Sequence, residues 1–68
     1  MKEYRVIVND RPEGSRYDVK GKSATTVARR FFGKKRLEVR GYTEHENCFE
    51  YTYTDRNGSV QGKLFEYK

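Results

Sequence analysis

One segment of this chain, Ser23 to Gly33, places its apolar residues at helical spacing, and the other patterned segments alternate with a period of two. That combination predicts a single helix serving a sheet. At about 100° per residue, Ala24, Val27, Ala28 and Phe31 share one stripe while Arg29 and Arg30 fall on the far side. Ser23 is the expected N-cap, because its hydroxyl can accept from a free amide of the first turn. Gly33 is the expected stop, in the left-handed conformation, and the run Lys34-Lys35-Arg36 that follows would meet the negative end of the helix dipole.

Before the helix, Glu3 to Asn9 reads as a strand with Tyr4, Val6 and Val8 on one side. Asp10 to Gly14 reads as a turn, and Ser15 to Lys20 as a second strand with Tyr17 and Val19 inward. After it, Leu37 to Tyr42 turns Leu37 and Val39 inward, and a bulge is expected at Gly41 because Tyr42 falls out of phase. Thr43 to Asn47 is a polar connection. Cys48 to Thr54 alternates most clearly, with Phe49, Tyr51 and Tyr53 on one side, and Asp55 to Gly58 supplies the residues of a hairpin turn. In the last strand, Ser59 to Tyr67, Val60 and Leu64 have one parity and Phe65 and Tyr67 the other. A bulge near Gly62 or apolar groups on both faces would account for this.

The expected fold class is α+β: one α-helix packed on a mainly antiparallel sheet, order β-β-α-β-β-β, with residues 1–68 forming one small domain. The order, with a basic segment after the helix, is similar to that of several small ribosomal and phage-encoded proteins. No stretch carries a family motif, so no family is assigned. Five strands about 4.8 Å apart span roughly 19 Å, whereas a helix with its side chains is about 10–12 Å across. One helix therefore cannot cover the sheet, and part of the set Phe49, Tyr51, Tyr53 and Tyr67 must curl around it, meet a partner or meet solvent.

A chain of 68 residues buries only about 60% of the surface that its unfolded form exposes. Only 34% of the residues are hydrophobic and 37% are charged, so the ten aromatics must supply much of the core. The lone Cys48 has no intrachain disulfide partner, and the N-terminus lacks the apolar run of a secretory signal. An intracellular, cytoplasmic setting is expected. No run approaches the roughly 18 apolar residues of a membrane span, so a soluble protein without membrane partners is expected. Asn57-Gly58-Ser59 has the glycosylation acceptor pattern, but the same residues are those of a hairpin turn.

The net charge of +5 is unevenly distributed: residues 1–42 carry twelve Lys or Arg against five Asp or Glu, net +7, while residues 43–68 carry three against five, net −2. The cations concentrate at Arg29, Arg30, Lys34, Lys35 and Arg36, with Lys20, Lys22 and Arg40 on neighbouring segments. Such a cluster suits a phosphate backbone, because neutralising phosphates releases condensed counterions. It also suits an acidic protein surface, or a face charged only for solubility. A second candidate is a tyrosine-rich face comprising Tyr51, Tyr53 and Tyr67 with Phe49, open to three readings: core, protein interface, or platform for unpaired bases.

Glu44-His45-Glu46 with Cys48 is a third group. Zinc needs three or four protein ligands, and the chain offers one His and one Cys, so no metal site or cofactor is expected. Nor can a nucleophile–base pair or a phosphate-cradling glycine loop be assembled. The expected function is non-enzymatic nucleic-acid binding, to DNA or RNA, through the basic cluster. The alternative is a protein-interaction module, an accessory or inhibitor, using a free sheet edge or the tyrosine face; a homodimer is one form of it.

Overall fold

The computed structural model describes residues 1–33 and 37–68. The elements run β1 (Lys2–Val8), β2 (Ser15–Gly21), α1 (Ala24–Phe32), β3 (Glu38–Glu44), β4 (Cys48–Thr54) and β5 (Val60–Tyr67), the expected α+β order. The strands form one antiparallel sheet in the order β2-β1-β5-β4-β3. The first and last strands of the chain are thus neighbours at the centre, and β2 and β3 are edges. Because Tyr4 pairs with Glu66 and Val8 with Gly62, both chain ends leave from one end of the sheet. The β1–β2 and β4–β5 turns lie at the other end.

Helix α1 starts where its sequence signals place it. Ser23 is extended (φ −152°) and its Oγ accepts the Thr26 amide at 3.2 Å. Val27 and Ala28 are fully buried with Tyr4, Val6, Tyr53 and Leu64, and Ala24, Phe31 and Phe32 pack around that core. Each fully buried Val or Leu contributes about 1.5–3 kcal/mol relative to exposure. Two glycines admit the helix to this distance. A Cβ on Gly21 would collide with a Val27 methyl, and one on Gly62 would meet the Ile7 carbonyl oxygen and stand 2.6 Å from the Phe32 ring. The helix ends at Gly33, whose φ of +90° is positive, but its ψ of 176° places it outside the left-handed helical conformation that the sequence suggested. A Cβ there would touch nothing within 4 Å, so the backbone angle alone favours glycine.

The helix lies on β1, β5 and β2. It is off-centre, leaving β4 and β3 beside it. Strand β3 runs further than its sequence pattern indicated, to Glu44. The polar connection therefore shortens to His45–Asn47, closed by a 2.8 Å bond from the His45 amide to the Cys48 carbonyl. The expected bulge falls between Val39 and Gly41 and puts Tyr42 directly opposite Tyr51. In β5 both explanations of the mixed parity hold: the pairing with β4 shifts between Gly62 and Val60, and apolar groups occupy both faces.

Candidate nucleic-acid interface

Helix α1 runs back along β2, so its C-terminal turn arrives at the end of the sheet that carries the β1–β2 and β4–β5 turns. Arg29 and Arg30 sit in that last turn and are exposed. Neither forms an ion pair with a described carboxylate, and neither does Arg40, whose guanidinium lies against Gly58 in the β4–β5 turn. At this end Arg11 of the β1–β2 turn pairs with Asp10 (3.8 Å) and Glu13 (4.0 Å), and the shorter pairs lie elsewhere, as in Arg5–Asp18 (2.9 Å) and Lys63–Glu50 (2.8 Å). Lys34, Lys35 and Arg36 lie outside the described residues, in the segment that joins Gly33 to Leu37. Lys20 and Lys22 do not join the cluster: they sit where β2 ends and the helix begins, at the opposite end of the molecule. Arg56, in the β4–β5 turn, sits at the basic end instead. The sequence reading missed it because the turn is distant along the chain, and only the strand order brings it to this end.

Beside the helix, the helix-facing side of β4 and β3 carries a shelf of rings. Phe32 packs on Tyr53 with ring centres 5.7 Å apart, Tyr53 neighbours Tyr51 at 6.3 Å, and Tyr51 neighbours Tyr42 at 5.2 Å. Tyr42 in turn stacks on Phe49 at 5.9 Å with an interplanar angle of 14°. The series runs from core to solvent: Tyr53 is buried, Tyr51 is half-buried, and Tyr42 is 54% exposed. Burial raises the pKa of the Tyr53 and Tyr51 hydroxyls, with the nearby Glu66 charge adding to it, so both stay neutral. Glu66 lies on this side with the tyrosines and is held by Lys2 at 3.2 Å, while Lys68 holds Glu44 at 2.9 Å and places its ammonium 4.9 Å from the centre of the Phe49 ring.

Tyr67 does not belong to this surface. It pairs with Cys48 and lies on the opposite face of the sheet with Phe65 and Ile7, so the expected trio Tyr51, Tyr53 and Tyr67 is divided between two faces. The cause is Leu64. Lying between Val6 and Tyr51, it takes the core position, and alternation then turns Glu66 inward and Phe65 and Tyr67 outward. Tyr42 takes the place on the shelf that Tyr67 was expected to fill; the bulge before Gly41 was the available signal.

The group around His45 does not converge. The His45 Nε2 bonds the Glu50 carboxylate at 2.8 Å, and Glu44 turns to Lys68. Among the described residues no three His, Cys, Asp or Glu side chains are placed to hold a metal ion, and no described helix is long and apolar enough to cross a membrane. Comparison with protein families, curated proteins and solved structures finds no match to this chain.

Proposed function

We propose that this protein is a small non-enzymatic nucleic-acid-binding domain that holds the phosphate backbone at its basic end. Arg29, Arg30 and Arg40 would make the contacts, together with the Lys34-Lys35-Arg36 run that the sequence sets between them. The observation that supports this reading is the exposure of Arg29 and Arg30 on the last helical turn without a described carboxylate partner. Cations committed to internal ion pairs would have little to gain from phosphate, whereas these remain available to it.

Titration of labelled duplex DNA at several salt concentrations tests the proposal. If three to five phosphates are neutralised, log affinity falls against log salt with a slope of about −3 to −4.5. An Arg29→Gln, Arg30→Gln variant should make that slope shallower by about 2. Affinity indifferent to salt would remove the reading.

A second reading, a protein-interaction module, is favoured by the two free edges β2 and β3 and by the half-buried Ile7, Phe65 and Tyr67 on the face away from the helix. Unpaired edge strands readily accept another strand, including one from a second copy. Sedimentation of the purified chain, and capture from lysate that survives nuclease, would favour it over the first.

A further inference from the structure

We infer that the nucleic acid is single-stranded and that its bases stack on the shelf centred on Tyr42. This rests on the proposed nucleic-acid reading and extends it from phosphates to bases. The off-centre helix covers the shelf only at Tyr53, and Tyr42 at its outer edge is 54% exposed while its neighbours Tyr51 and Phe49 pack against it. A ring held in this way presents a face at little cost in side-chain freedom, because χ1 and χ2 are already restrained by packing.

The charges around the shelf point to the same ligand. Arg29 falls about 60° around the helix from Phe32, the residue that leans on the shelf at Tyr53, so it borders this side of the helix. On β3, Val39 stands opposite Tyr53 at the basic end of the shelf and is 53% exposed. The two carboxylates on the shelf side, Glu44 and Glu66, are each neutralised by a lysine. Rings for bases and the Arg29 guanidinium for phosphate therefore share one surface, the arrangement that binds unpaired strands. A duplex keeps its bases stacked on one another and would use only the cations.

The test compares an oligothymidylate of about 15 nucleotides with a duplex of equal length, at one moderate salt concentration. The chain contains six tyrosines and no tryptophan, so its intrinsic emission reports on tyrosine. The single strand should bind more tightly than the duplex and quench that emission. Tyr42→Ala should weaken single-strand binding about 5- to 150-fold and leave duplex binding unchanged, and Tyr42→Phe should restore it. Equal binding of both probes, or single-strand binding by the wild-type chain without quenching, would overturn the inference. If the Arg29→Gln, Arg30→Gln variant still lost affinity for both probes, phosphate binding would survive that result. Failure to bind either probe at low salt would remove both readings together.

Discussion

A glycine inside a strand usually weakens it, yet Gly62 is the third of the eight residues of β5 and sits beneath the helix. The Phe32 ring and the Ile7 carbonyl both close on the space that a side chain would occupy there. A methyl group would have to displace both the aromatic ring and the neighbouring strand. Gly62→Ala should therefore cost about 1–3 kcal/mol, read as a lower urea midpoint with an unchanged slope. Sequence alone marked Gly62 only as an interruption of parity, since the ring above it comes from thirty residues away in the chain. The same limit applies at Glu66 and Tyr67. By residue type a tyrosine belongs inside and a glutamate outside, but Leu64 fixes the parity of the whole strand, and Lys2 makes the inward Glu66 tolerable.

At the scale of elements, the local signals were sufficient. The helical stripe, the Ser23 cap and the alternation from Cys48 to Thr54 depend on near neighbours, and all appear within the bounds their spacing implies. Removing the cap by Ser23→Ala should lower stability by about 0.5–2 kcal/mol, with loss of helical circular dichroism before the sheet signal in a thermal scan. The far bound of β3 was not legible. Thr43 and Glu44 read as loop residues and become strand because Glu50 and Phe49 stand opposite them. Strand order was equally hidden, since inserting β5 between β1 and β4 is decided by which apolar faces fit together. The basic cluster was legible as a charge run, but its division between the two ends of the helix was not.

For the molecule as a whole, acid should be the more damaging departure from neutrality. The Glu50 carboxylate is held below its ordinary pKa by the Lys63 ammonium and by His45, and Asp18 is held below its own by the Arg5 guanidinium. A carboxylate depressed in the folded state stabilises the fold above its unfolded pKa, about 4, and that contribution disappears as pH falls through the folded value. The urea midpoint should therefore decline from about pH 5 downward, and Glu50→Gln should flatten the decline while lowering the plateau.

The central pairing of β1 with β5 has a mechanical consequence. With both termini leaving one end of the sheet, tension between them opens that ladder rung by rung, from Tyr4 and Glu66 towards Val8 and Gly62, instead of shearing every bond at once. An unfolding machine that pulled from the termini would thus meet the core of this protein first, and meet it in its weakest direction.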